Sequence, residues 1–280
     1  MMRTRRRLPR VLSAVALTIA ALAFVFPFYF MIVGAFQQNP TNSPDRLFPV
    51  GGWTFDNFAN IDSRIDLFGS LLNSLIFTVG VLLGTVVFGM LAGYAIARMS
   101  FRGRGVLWVL MLLVQMVPFQ LLMIPLYVQI TSGYGLGDSY LGMILPFVIN
   151  TTAVFIFLQF FKALPNEIFE AARIDGAGEI RLLVSVAVPL IRPVLVTVVL
   201  ITFIGPWNEF LWPFLITKDA ALQPLAVSLA NYISNVAQST ANPNGAILAG
   251  ATALALPVVV LFIVFQRFFT ATDLGAAVKG

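Results

Sequence analysis

The sequence predicts an all-α polytopic membrane protein with six transmembrane helices. Of its 280 residues, 59% are hydrophobic and only 10% charged, whereas a soluble domain carries about 25% charged residues. Six stretches each approach or exceed the roughly 20 mostly apolar residues that a membrane helix needs. The charges lie almost wholly between these stretches. So little polar surface cannot cover a water-soluble particle, which excludes a soluble enzyme. The apolar runs are uninterrupted and lack the ten-residue alternation of an outer-membrane barrel. They therefore read as helices, the only open-chain structure that satisfies its own backbone in lipid.

The first span is Val11–Phe36. It follows a basic N-terminus and contains an Ala21-Leu22-Ala23 triplet, so its start has the look of a secretory signal. The apolar run continues through Phe36, well past a signal core of about 7–15 residues, and reads as an uncleaved helix. The second span, Gly69–Ala97, carries Gly80, Gly84, Gly89 and Gly93, small residues four apart that suit close helix packing. The third and fourth are Val106–Ile130 and Ser139–Phe161. The fifth, Pro193–Ile216, contains Glu209, the one formally charged side chain within the six spans. The sixth is Ala246–Gln266.

Between them, the first outer connection, Gln37–Phe68, has four aspartates and Pro40, Pro44 and Pro49, and reads as a partly ordered external segment. Thr131–Asp138 reads as a tight glycine-rich turn. Thr217–Gly245 is rich in Asn, Ser and Gln and reads as a solvated loop. The whole chain, 1–280, reads as a single transmembrane domain.

Charge placement orients the spans. Fourteen of the 17 basic residues fall on one side: five at the N-terminus, Arg98, Arg102 and Arg104, then Lys162, Arg173, Arg181 and Arg192, then Arg267 and Lys279. Only Arg46, Arg64 and Lys218 fall on the other. The positive-inside rule places both termini in the cytoplasm. The net charge of +5 is thus a topology signal, and no nucleic-acid partner is expected. With no cysteine and no histidine, disulfides, thiolate nucleophiles, His-based triads and Cys or His metal sites are excluded. No catalytic residue and no metal site is predicted, and no cofactor is expected on this chain.

The cytoplasmic connection Lys162–Arg192 is unlike the others. It mixes both charge signs with an apolar pattern. After Pro165, Asn166 is placed to cap a short helix ending near Ile174, with Glu167 and Glu170 in its first turns. Gly176 can end that helix at positive φ, and a second helix can follow until Pro189. Two short helices about a sharp turn make a compact knob. On residues alone the knob is either a docking element or an interfacial connector.

Glu170-Ala171-Ala172, three residues, Gly176, nine residues, and Val186-Ala187-Val188-Pro189 resembles the EAA motif of ABC importer permeases, with valine at two positions that are Ile and Leu in the motif. The local form Glu-Ala-Ala-Arg-Ile-Asp-Gly-Ala is similar to that of carbohydrate importers. So are Asn73-Ser74-Leu75, Pro118 and Pro125, and the run Trp207-Asn208-Glu209-Phe210-Leu211-Trp212-Pro213. The ending Gly275-Ala276-Ala277-Val278-Lys279-Gly280 resembles that of the second permease subunit in maltose-type systems. The resemblance implies a type I importer permease fold in a bacterial cytoplasmic (inner) membrane. It also implies a second homologous permease, a dimeric ATPase that binds ATP and magnesium, and an extracytoplasmic solute-binding protein. No phosphate-binding Gly-x-x-x-x-Gly-Lys-Ser/Thr loop is present, so the ATPase would be another chain. Residues implied in coupling are Glu170, Ala171, Ala172, Asp175, Gly176 and Pro189.

The implied cargo is a sugar, an oligosaccharide or related solute. Candidate pathway residues are Gln115, Gln120, Asn150, Thr151, Asn208, Glu209 and Trp212. A carboxylate within a membrane is costly and marks a functional position. On a continuous helix Asn208, Glu209 and Trp212 would share one face, suited to sugar hydroxyls and an aromatic platform. The same residues would also suit helix packing and an outer aromatic belt. A stand-alone ion- or proton-coupled carrier using Glu209 is the competing reading.

Overall fold

The computed structural model describes residues 7–38, 40, 52–235, 237 and 243–270, with side chains between 12 and 266. Arg3, Arg5, Arg6, Pro44, Asp45, Arg46, Pro49 and the tail 271–280 lie outside the described residues. Among those described, structure is helical apart from connections and one antiparallel bridge, Gln37 to Trp53. The chain separates into two compact units, Met1–Phe68 with Ser228–Pro257, and Gly69–Val227 with Val258–Gly280.

The first unit contains α1 (Arg7–Ala35), α2 (Asp56–Ile65), most of α13 (Leu225–Asn235) and the first half of α14 (Pro243–Thr270). Its core gathers Ala35, Ile61, Leu229, Tyr232, Ala246 and Ala249. Asn57 is buried there, and its amide donates to the carbonyls of Ala35 (2.9 Å) and Gln37 (2.7 Å). That bond pair satisfies two carbonyls left over where α1 ends. Within the first connection, expected to be partly ordered, the described residues include helix α2. The last outer connection also departs from expectation, because α13 is a buried helix. Leu225, Leu229 and Tyr232 stand at helical spacing and are all nearly inaccessible.

The second unit is built on α3 (Leu67–Arg98), an unbroken 32-residue helix. Its glycine stripe packs against the fourth span. A Cβ on Gly80 would lie 2.4 Å from Ile144 Cδ1, on Gly84 2.6 Å from Val148, and on Gly93 2.7 Å from Phe157 Cβ. At Gly84 and Gly93 the neighbouring helix leaves no room for a Cβ, whereas at Gly80 the flexible end of Ile144 would have to move.

Among the described residues, three helices are long and apolar enough to cross a membrane unbroken: Leu12–Ala35, Leu67–Arg98 and Pro243–Gln266. The count reaches six if each of three bent pairs is one span. The third span is α4 (Arg104–Gln115) and α5 (Phe119–Val128) with its π-helical continuation to Gly133, bent by 96°. Pro118 causes the break, since it has no N–H to give and keeps Val117 from helical geometry. The fourth is α6 (Tyr140–Ile144) with a short 3₁₀ turn to Phe147, then α7 (Thr151–Ala163), bent by 49°. The third bent pair is Glu179–Leu190 with α11 (Arg192–Asn208), bent by 81°; α11 in turn stops at Glu209, and α12 (Leu211–Ile216) follows. Pro213 lacks the N–H that would have reached the Glu209 carbonyl, which weakens the helix at this break. The breaks at Pro118, between Phe147 and Thr151, and at Glu209 interrupt runs whose apolar composition is continuous.

Candidate functional site: a two-helix knob and a broken-helix cavity

The knob forms as α8 (Asn166–Ile174), a turn, and an irregular helix running Glu179–Leu190 through α9 (Glu179–Arg181), a π-helical stretch and α10 (Val188–Leu190). Gly176 has φ +80°. Its N–H donates to the Arg173 carbonyl (3.0 Å), and that of Ala177 to the Ala172 carbonyl (3.0 Å). Together these are the two bonds of a Schellman stop, which a glycine at this position permits. Asn166 does not cap α8 as expected. It is the first helical residue, the cap position is Pro165, and the Asn166 Oδ1 instead accepts from Arg98.

One face of α8 is locked to the helices behind it. Phe169 is 2% exposed and packs with Tyr94, Phe157, Phe161, Leu182 and Ile191. Burying a phenylalanine in this way contributes about 1.5–3 kcal/mol. The Arg98 guanidinium lies 4.3 Å from the Phe169 ring centroid. It also donates to the carbonyls of Phe161 and Leu164 at the end of α7. Glu179 joins the two halves of the knob, accepting from Tyr94 (2.8 Å) and pairing with Arg173 (3.0 Å). Ala172 packs inward, whereas Glu170, Ala171, Asp175 and Gly176 are exposed. Ile174 and Ile180 stand out at 87% and 81% exposed. Pro189 lies in the last short helix before the 81° bend into α11.

At the opposite end of α3, Asn73 and Ser74 hold a polar clasp. The Asn73 amide donates to the carbonyls of Ala221 (2.9 Å) and Gln223 (3.1 Å), and its oxygen accepts from Tyr140. Ser74 Oγ accepts the Leu225 N–H (2.8 Å). Nearby, Asp138 accepts the backbone N–H groups of Asp219 (2.9 Å) and Lys218. These two bonds, Asp219 first, and the Lys218 charge hold its carboxyl below the usual carboxylate range.

Between the ends, a cavity of about 280 Å³ lies where the fourth and fifth spans break. Val81, Thr85, Phe147, Asn150, Thr152, Gly205, Pro206 and Glu209 are among its walls. Asn150 caps α7, its Oδ1 accepting from Ala153 N–H (3.1 Å). Glu209 Oε1 accepts the N–H groups of Leu211 (3.1 Å) and Trp212 (3.2 Å), the first donors of α12. Of the expected pathway residues, Asn150 and Glu209 line the cavity. Gln115 reaches its edge by donating to Thr152 Oγ1 (3.3 Å). Gln120, Thr151, Asn208 and Trp212 are not among its walls. The shared face expected of Asn208, Glu209 and Trp212 does not form, because the helix breaks between them. Asn208 turns back to the Ile204 carbonyl (2.9 Å). Trp212 is fully buried, donating to the Gly142 carbonyl (3.1 Å), and Trp207 is buried too, so neither forms an aromatic belt.

The family model for the binding-protein-dependent transport system inner membrane component matches residues 85–274. This chain belongs to that family. Among relatives of the permease is the arabinooligosaccharides transport system permease protein AraQ of Halalkalibacterium halodurans, 31% identical over 96% of each chain. AraQ of Bacillus subtilis is 29% identical over 93% of this chain and 92% of its own. The sn-glycerol-3-phosphate transport system permease protein UgpE of Yersinia pestis is 32% identical over 96% of this chain and 97% of its own. In fold, the permease is similar to a chain from a bacterial ABC transporter involved in the import of the acidic polysaccharide alginate. The TM-score is 0.83 at 22% identity, covering 96% of this chain and 99% of that one.

Sequence reasoning on the permease missed the supports behind the knob. Arg98 counts in the sequence only as one more inward charge, and Phe169 as one more apolar residue. Glu179, three residues after Gly176, was the available signal, since a carboxylate just beyond a helix stop commonly has a local partner.

Proposed function

We propose that this chain is one of two membrane subunits of an ATP-driven type I importer for an oligosaccharide or related solute, acting as one permease domain that forms half of the pathway. In this reading both termini and the knob lie in the cytoplasm of a bacterium, and the chain sits in its inner membrane. A second, homologous permease completes the pathway. An extracytoplasmic binding protein delivers the solute. A separate ATPase dimer holds ATP and magnesium, and this chain binds no cofactor and performs no hydrolysis.

The observation that carries the reading is the knob. A part that transmits the closing of an ATPase to membrane helices must be rigid on the side of the helices and exposed on the side of the motor. Phe169, Arg98 and Glu179 fix α8 to α3 and α7. Glu170, Ala171 and Ile174 are presented outward. The sugar assignment is supported by the names of the AraQ relatives and by the local form of the loop.

Uptake by the complex reconstituted in proteoliposomes tests the proposal. Uptake should need internal or external ATP on the knob side, stop with vanadate and persist with a protonophore. Glu170→Lys should weaken ATPase docking without altering solute binding by the isolated binding protein. Uptake that a protonophore abolishes and vanadate spares would instead favour a proton-coupled carrier.

A further inference from the structure

The cavity at the broken helices has a definite chemical balance. Its volume of about 280 Å³ sits near the lower end for small-molecule pockets, roughly 300–1,000 Å³, and suits one sugar ring. Two of its polar side chains have spare bonding capacity. Glu209 spends Oε1 on the start of α12, while Oε2 takes no hydrogen bond among the described residues. Asn150 spends Oδ1 on the start of α7, while its amide NH₂ donates to no described residue. Thr152 adds a hydroxyl, and Phe147 an apolar wall. Among the described residues, no lysine or arginine lines the cavity.

We infer that this cavity binds a neutral polyhydroxylated ligand one ring at a time and turns away phosphorylated or carboxylated ones. The inference rests on the importer reading and names its substrate class. A hydroxyl both donates and accepts, so one ring can give a proton to Glu209 Oε2 and accept one from Asn150. An anion would bring like charges together in a site of low dielectric with no cation to offset them. In secondary transporters, too, solute sites lie at discontinuous helices.

The chain has no native cysteine, so Thr152→Cys can be labelled in the assembled complex in proteoliposomes. A cationic methanethiosulfonate should react at least about tenfold faster than an anionic one, after normalisation to a free thiol. In the Glu209→Gln background, which keeps an oxygen for the α12 cap, that ratio should fall towards one. Arabinotriose should slow labelling, and sn-glycerol 3-phosphate should not. Asn150→Asp keeps the α7 cap oxygen, so it should raise the ratio and weaken protection by the trisaccharide. Equal rates for the two reagents, a ratio unchanged by Glu209→Gln, equal protection by the phosphate, or a cysteine that neither reagent reaches would each overturn the inference. Labelling needs no ATP. Loss of ATP-driven uptake in the same vesicles would count against the importer reading and leave the charge preference readable.

Discussion

Replacing Gly176 separates conformational strain from steric fit. At φ +80° a side chain is disfavoured by its own backbone, yet a Cβ there would meet nothing within 4 Å. No clash contributes, and the cost is that of the left-handed conformation alone. It is about 1–2 kcal/mol for an ordinary L-residue, rises towards about 3 kcal/mol for a β-branched one, and is smaller for asparagine, which visits this region. The chain could escape by moving to negative φ. It would then lose the bonds from Gly176 N–H to Arg173 and from Ala177 N–H to Ala172, each worth about 0.5–1.5 kcal/mol. Either route costs about 1–3 kcal/mol, so Gly176→Val should reduce the population of the intact turn by roughly 5- to 150-fold relative to competing conformations.

Phe169 and Arg98 anchor α8 independently of this turn, so the spans should still insert. What fails is the fixed angle between α8 and the helix beginning at Glu179. The assay is ATPase capture by detergent-solubilised complexes, together with the ratio of ATP hydrolysed to solute imported in proteoliposomes. Docking and coupling should fall in the order glycine, asparagine, alanine, valine. Full docking and coupling in Gly176→Val would refute the role of the turn. An asparagine variant as impaired as the valine one would show that size, not φ, governs this position.

Three further outcomes follow from the same geometry. Gly93→Val should lower the thermal midpoint of the purified protein, at a cost of about 1–3 kcal/mol for overpacking, because its Cβ would lie 2.7 Å from Phe157 Cβ and 3.0 Å from the Leu158 backbone nitrogen. Gly105→Ala, with open space around its Cβ, should leave the midpoint unchanged or higher. Asp138→Asn should destabilise the loop 217–223 at neutral pH, measured by protease cleavage there. Because the folded carboxyl lies below its ordinary value, its contribution is complete above the unfolded value near 3.9 and is lost as pH falls through the folded one, so wild type and variant should converge only in acid. A cysteine replacing the exposed Ile174 should be labelled from the cytoplasm and one replacing Asn235 from outside; the reverse pattern would overturn the assigned topology.

The knob was legible because its determinants are local. Pro165 bounds α8, a glycine follows at the spacing of a helix stop, and the structure places both where the residues indicate. The glycine stripe of α3 was legible for the same reason, since spacing alone puts its members near one face. Helix α2, which buries one face, and the largely buried α13 were hidden by their polar residues, although Phe58, Ile61 and Ile65, and Leu225, Leu229 and Tyr232, carry a helical period. In Thr217–Gly245 the Asn, Ser and Gln content masks that period. The helix breaks were hidden for a different reason. Apolar composition is the same in a straight span and a bent one, and the groups that stabilise a bend come from elsewhere in the chain.

Glu209 shows how this changes a residue's meaning. Within a continuous helix its carboxylate would have no backbone donor to meet, since every interior N–H is already bonded to the turn before it. Its only partners would then be the solute or another helix, which is the choice the sequence presents. Once Pro213 withholds its N–H and the helix stops, the N–H groups of Leu211 and Trp212 are freed, and Oε1 takes both. Trp212 supports the same break from far along the chain by donating to the Gly142 carbonyl. The charge is therefore half spent on holding the break open and half available to the cavity. Those roles separate in two substitutions. Glu209→Gln keeps an acceptor for α12, so it should leave stability nearly unchanged. Glu209→Ala removes the cap and should cost about 0.5–2 kcal/mol, read as a lower thermal midpoint of the purified complex. Equal stability of the two variants would mean that the break is held by proline and packing alone, and that the carboxylate serves only the cavity.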